Sequence, residues 1–122
     1  MSRSPISEAL VDASRLNARL AAMAAIGATP GGGVTRLALS DEDRAARDLL
    51  AQWMQAAGLN LRVDDVGNMT CHRPGRTSAP PVLIGSHLDT VVKGGRFDGV
   101  LGVLAALEVV ETLNDLGLET EL

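Results

Sequence analysis

The feature that most constrains this chain is a pair of runs late in the sequence, Gly85-Ser86-His87-Leu88-Asp89-Thr90 and Gly94-Gly95-Arg96-Phe97-Asp98-Gly99. The first follows Val82-Leu83-Ile84, an apolar run that reads as a buried strand ending in polar residues. The second is a Gly-rich loop that opens onto a long apolar helix. Strand, loop and helix in that order put chemistry at the carboxyl end of a strand, where open α/β sheets gather ligands. His87 is a borderline ligand suited to zinc, and Asp98 is a hard oxygen ligand able to bridge two cations. Asp89 stands two residues after His87, so on a strand both side chains project from one face. A carboxylate there can accept the second ring N–H of the histidine, fix its tautomer and raise its basicity.

The remaining residues supply helices and strands around that centre. Ile6, Leu10, Ala13, Leu16, Leu20 and Met23 recur at three- and four-residue spacing, which predicts a helix over residues 4–26 stopped by Gly27. Residues 28–39, with Thr29-Pro30-Gly31-Gly32-Gly33, read as a loop, and Gly31-Gly32-Gly33 within it as a flexible connection. Ser40 has the character of an N-cap, with Asp43 in the capping-box position. The helix behind it carries Ala46, Leu49, Leu50, Trp53, Met54 and Ala57 on one face before Gly58. The period then falls to two. Leu59, Leu61 and Val63 predict a strand over 59–66, Gly67-Asn68 a turn, and 69–72 a hairpin return. Residues 74–80 are a loop, and 82–86 are expected to form the buried central strand. The last helix, beginning at Asp98 or Gly99, presents Val100, Val103, Leu104, Leu107 and Val110, while Glu108, Glu111 and Asp115 are expected to face away from that stripe. The order α, α, β, β, β, α predicts an α/β fold with a mixed or parallel sheet covered by helices.

A chain of 122 residues is expected to be one domain, spanning 1–122. With one Phe, one Trp and no Tyr, its core must be aliphatic. A net charge of −4 with interspersed signs offers no basic patch to nucleic acid. The apolar stretch at 20–26 is too short to cross a membrane, and no targeting signal is evident. Cys71 is the only cysteine, which excludes a disulfide within the chain and points to a cytoplasmic setting.

Each candidate has an ordinary competitor. A histidine after an apolar strand is more often a hydrogen-bonded structural residue than a ligand. Asp98 has the residue type of a simple N-cap, and Asp89 that of a strand-end turn. Gly31-Gly32-Gly33 lacks the Gly-Lys-Ser/Thr continuation of a phosphate loop. Arg36 reads as a solvated or structural arginine, and Asn68 as a turn residue. Cys71-His72 has the form of half a zinc knuckle, with no second cysteine to complete it.

Four phrases in order carry a stronger signal. They are Gly32-Gly33-Val34-Thr35-Arg36-Leu37-Ala38-Leu39-Ser40, Asp64-Asp65-Val66-Gly67-Asn68, Gly85 to Val91, and Gly94 to Leu104. Together they resemble the zinc-dependent amidohydrolases of the M20 metallopeptidase-like family. The likeness is to the branch of N-carbamoyl-L-amino acid hydrolases, allantoate amidohydrolases and β-ureidopropionases, and it covers nearly all of the chain. It implies a zinc-peptidase-like catalytic domain of which residues 1–122 are the N-terminal part. It implies His87 and Asp98 as metal ligands, Asp98 bridging two divalent ions (zinc, or manganese or cobalt), and Asp89 as the catalytic-site residue that orients His87. The reaction implied is hydrolysis of the ureido C–N bond of a small substrate, an N-carbamoyl-L-amino acid or allantoate, by a homodimer that binds neither nucleic acid nor membrane. Family members are considerably longer. They add a Glu-Glu pair that supplies the general base and a ligand, two further histidine ligands, and a lid-like dimerisation domain, none of which lies in these 122 residues. The chain by itself is therefore expected to be inactive. The alternative expectation is a non-catalytic truncated or interaction module using half of the same fold.

Overall fold

The computed structural model describes residues 10–122, and the part of the first predicted helix that falls at 4–9 lies outside them. Three helices and one hairpin make up the described fold: α1 (Ala13–Ala25), α2 (Asp41–Ala56), β1 (Asn60–Val63), β2 (Met69–His72) and α3 (Val100–Asp115).

Helix α1 starts at Asp12, whose carboxylate accepts a hydrogen bond from the Arg15 N–H at 3.0 Å. That cap, rather than the apolar repeat, sets the start; Leu10 before it is exposed. Gly27 follows the last turn at φ 84°, the left-handed position expected after a helix C-terminus. In α2, the Ser40 hydroxyl accepts from the Asp43 N–H at 3.1 Å, and the Asp43 carboxylate accepts in return from the Leu39 N–H at 3.1 Å. The acidic first turn Asp41-Glu42-Asp43 suits the positive end of the helix.

Strands β1 and β2 pair antiparallel, with Asn60 opposite His72 and Val63 opposite Met69. The expected strand over 59–66 is shorter because Asp64 ends it. Its carboxylate accepts from the N–H groups of Val66 and Asn68 and from the Asn68 side-chain amide, at 2.8–3.0 Å. Those bonds, Asn68 foremost, hold the Asp64 carboxyl below its ordinary range. Asn68 is a turn residue, as read from the sequence.

The core is the aliphatic set Leu20, Met23, Ala46, Leu50, Leu88, Val100, Leu104 and Leu107, drawn from all three helices and from the segment that carries His87. Two expectations need correction. Residues 82–86 are not a strand, and the wider sheet is not formed: Val82, Leu83 and Ile84 are exposed and form no ladder among the described residues. An apolar run becomes a strand only beside a partner that takes its N–H and C=O groups, and the hairpin lies elsewhere in the fold. Glu108 does not face away from the core. It is 1% exposed, because positions 104, 108 and 112 lie one turn apart on the face that meets α1, where Arg15 waits for it. Residues 34–36 lie in the expected loop, outside any helix or strand, and are anchored there. Val34 and Gly94 exchange backbone hydrogen bonds at 2.8 and 3.0 Å, and the Thr90 N–H donates to the Arg36 carbonyl at 2.7 Å.

Candidate metal centre

The site residues sit where the chain passes the N-terminus of α3. The N-cap of that helix is Gly99, at φ 70°, and it makes no side-chain cap bond. A Cβ on Gly99 would lie 2.5–2.6 Å from three atoms of the His87 ring, so the imidazole rests directly on the glycine. One turn on, a Cβ at Gly102 would meet the Ser86 side chain at 2.9 Å. Glycine at both positions is therefore what lets residues 85–87 run against the helix.

His87 is half exposed, with Nδ1 2.9 Å from the main-chain oxygen of Asp89 and 3.5 Å from the Asp89 carboxylate. A carbonyl oxygen can only accept, so this contact makes Nδ1 the protonated nitrogen and leaves the Nε2 lone pair free. The sequence reading assigned the Nδ1 contact to the carboxylate; the shorter contact is to the backbone of the same residue, and the carboxylate lies behind it. Asp98 directly precedes the Gly99 cap and is exposed. Its main-chain oxygen accepts from the Val100 N–H at 2.8 Å, while its carboxylate makes no cap bond. The cap role that competed for Asp98 is thus taken by Gly99.

An imidazole nitrogen and a carboxylate are donor types that suit a divalent cation of the zinc or manganese type; His87 rests on Gly99 and Asp98 directly precedes it, but Asp98 is not among the residues that line the cleft beside His87. The pair is short of the about three protein ligands that a catalytic zinc site uses. Among the described residues no cluster of three or more His, Cys, Asp or Glu side chains could hold an ion. A cleft of about 550 Å³ opens beside His87, with Leu50, Met54 and Leu107 on its apolar side and Asp43, Arg47 and Asp89 among its polar lining. That volume is within the range of small-molecule sites.

The sequence undervalued Arg36. It is 1% exposed, and its guanidinium donates to three main-chain oxygens: Leu88 through Nε at 2.8 Å, and Met23 and Ile26 through Nη1 at 3.0 and 2.8 Å. Burial pushes its pKa down, while the charges of Asp43 and Asp89 act the other way. The one signal available in the sequence was its place inside a phrase shared with a family. Cys71 is half-buried in β2, and burial pushes its thiol pKa up; neither it nor His72 joins the site.

No family model matches the chain. Among curated proteins it is similar to an N-carbamoyl-L-amino-acid amidohydrolase of Rhizobium meliloti, 51% identical over 112 residues, which is 91% of this chain and 27% of that protein. An allantoate amidohydrolase of Bacillus subtilis is 42% identical over 94 residues, 76% of this chain and 23% of that protein. Among solved structures, the crystal structure of a hydantoinase/carbamoylase family amidase from Burkholderia ambifaria matches with a TM-score of 0.90 at 60% identity, covering 93% of this chain and 28% of that one. The chain thus spans about a quarter of the length of the curated relatives it matches.

Proposed function

We propose that the chain is part of a member of the hydantoinase/carbamoylase family of amidohydrolases, to which its relatives belong, and that it carries part of the metal site of an M20-type hydrolase acting on the ureido C–N bond of N-carbamoyl-L-amino acids. His87 would hold a metal through Nε2, and Asp98 would bridge two divalent ions, zinc or else manganese or cobalt. When bound, such ions polarise a carbonyl and lower the pKa of a water. The protein's own residues do the rest of the work here. Asp89 accepts from Nδ1 through its main-chain oxygen, with its carboxylate behind, which orients the imidazole and leaves Nε2 as the nitrogen that would face a metal. Gly99 sets the ring's place against the helix end. The general base and the remaining ligands are assigned to the three-quarters of the relatives' length that this chain does not match, as are the lid-like domain and the homodimer interface. By the same reading the protein works in the cytoplasm, on a small ureido substrate. No described helix is long and apolar enough to cross a membrane.

One observation carries this reading: the 51% identity to an N-carbamoyl-L-amino-acid amidohydrolase extends over 91% of the chain, a stretch that cannot leave out residues 87–98. Allantoate is the second substrate, on the strength of the Bacillus subtilis relative. The test is ammonia release by the metal-loaded full-length protein from N-carbamoyl-L-amino acids, with allantoate alongside and dipeptides as the contrast. Turnover of a ureido compound is the expected result. Hydrolysis of dipeptides with neither ureido compound touched would overturn the substrate assignment.

A further inference from the structure

Arg36 has a part that neither the fold nor the proposed reaction has yet required. Its guanidinium is fully buried, and among the described residues it has no ion-pair partner. Its hydrogen bonds go to backbone oxygens at two places. Met23 and Ile26 belong to the C-terminal end of α1, where unpaired carbonyls and the negative end of the helix favour a cation. Leu88 stands between the two site residues His87 and Asp89. The backbone of Arg36 holds the same segment again: its N–H donates to the Thr90 hydroxyl at 2.8 Å, and its carbonyl accepts from the Thr90 N–H at 2.7 Å. The Thr90 hydroxyl in turn donates to the Val34 carbonyl at 3.0 Å.

The stretch upstream gives no such support. Residues 82–86 are outside any sheet and exposed, so the peptide that carries His87 is not held by a ladder on that side. What fixes it is Leu88, whose side chain is in the core and whose carbonyl is held by Arg36. The direction of that carbonyl sets the peptide plane between Leu88 and Asp89. It thereby bears on the Asp89 oxygen that contacts His87 Nδ1, and on the Asp89 carboxylate.

We propose that Arg36 is the positioning residue of the metal site, a buried fork that locks the backbone between His87 and Asp89 to the end of α1. The inference rests on the metal-site reading above. Lysine cannot replace it, because one ammonium lacks the planar fork whose Nε and Nη1 serve Leu88 and α1 at once.

The test measures zinc affinity of the full-length protein by competition with a chelating dye, well below each variant's melting temperature. Arg36→Lys is expected to weaken zinc binding by about 10-fold or more, the loss usual when an outer support of a metal ligand is removed. Thr90→Val removes the hydroxyl that accepts from the Arg36 main-chain N–H and donates to the Val34 and Val91 carbonyls, so it loosens the same segment without touching the guanidinium and should weaken binding less but measurably. Leu20→Ala, a core change on α1, should lower the melting temperature and leave zinc affinity as in the wild type. His87→Ala should abolish binding at the site. If His87→Ala costs metal while Arg36→Lys and Thr90→Val bind as the wild type does, the positioning role is wrong. The same holds if Leu20→Ala weakens zinc as much as Arg36→Lys, for then stability alone is being read. Should Arg36→Lys fail to fold, Arg36→Gln, which keeps one side-chain amide donor and removes the fork, decides, and wild-type affinity in it overturns the proposal. If His87→Ala keeps its zinc, the metal-site reading itself has failed, and the inference with it.

Discussion

The middle of α3 and its N-terminal end treat their carboxylates in opposite ways. Midway along the helix, Glu108 is 1% exposed and its carboxylate accepts four hydrogen bonds, three at Oε1 and one at Oε2. Arg15 donates to it twice, at 2.7 and 2.8 Å, the Asp12 N–H at 2.8 Å and the Thr112 hydroxyl at 3.1 Å. Arg19 pairs with Glu111 beside it and lies 5.3 Å over the ring of Trp53, so the cluster ties α3 to α1 and α1 to α2. At the N-terminal end Asp98 is exposed and its carboxylate has no hydrogen-bond partner among the described residues, while the half-exposed His87 rests on the neighbouring Gly99. A carboxylate whose hydrogen bonds are spent inside the protein is a structural member. One left without a partner at a helix end is available to something from outside.

The sharpest way to break this contrast is at Glu108. Replacing it with alanine leaves Arg15 without its chelating partner and removes the link from Asp12. Breaking one side of such a pair costs about 3–5 kcal/mol. We expect about the lower figure, because Arg15 keeps Asp115 at 2.8 Å and remains a quarter exposed. Chemical denaturation of wild type and variant measures it. A loss below about 1 kcal/mol, the value of surface pairs, would mean that the cluster is decoration.

The same residue sets a pH signature. Its hydrogen bonds with Arg15 hold the Glu108 carboxyl at about 2, against 4.5 for an ordinary glutamate, despite the opposing effect of burial. A carboxyl depressed on folding contributes stability that is fully present above its unfolded value and is lost as pH falls through the folded one. The wild type should therefore outlast Glu108→Gln in near-neutral buffer, and the gap in melting temperature should close between pH 4.5 and about 2. A gap that stays constant over that range would show that the carboxylate charge is not the stabilising element.

Gly99→Ala is expected to do less to stability and more to the site. A left-handed backbone costs an L-residue about 1–2 kcal/mol, and the added methyl would stand 2.5 Å from His87 Cε1. The ring must move, since the other side of the contact is helix backbone. We expect a modest drop in melting temperature together with a changed His87 ring signal by NMR. An unshifted imidazole would show that the ring does not rest on Gly99.

Much of this was legible beforehand, and the parts that were not have a common cause. Helix α2 could be read because Ser40 and Asp43 cap it within four residues of one another, and the hairpin because Gly67-Asn68 mark its turn locally. His87, Asp89 and Asp98 are candidates by spacing and residue type, and it is the family resemblance that gives them their proposed roles. What failed were statements that need a distant partner. Val82-Leu83-Ile84 signals burial, yet nothing in the run says what pairs with it. Glu108 looked solvated because the residue that neutralises it is 93 positions away. Arg36 proves structural, one of the two roles its residue type allowed, but which one could not be read because its three acceptors are backbone oxygens, 10 to 52 residues distant, and carry no sequence mark.

The smallest expected effect on stability is the one that most sharpens the comparison. Asp98→Asn keeps the shape of the side chain and removes its charge. Because that carboxylate caps nothing and is exposed, folding stability should change by no more than about 0.5 kcal/mol, as for surface positions free of special contacts. Under the proposed reading the same substitution should lower metal occupancy as well as turnover in the metal-loaded full-length protein. Asp89→Asn, one step back from the ion, should keep more metal and regain more activity when metal is added in excess. Set beside Glu108→Ala, the pair separates stability from chemistry along a single helix: one carboxylate removed at the cost of the fold, another removed at the cost of the metal. Denaturation curves and metal content after dialysis, measured on the same preparations, read both. If Asp98→Asn destabilised the protein as much as Glu108→Ala did, its carboxylate would be structural after all. If it kept its metal and turned over like the wild type, it would not be a ligand.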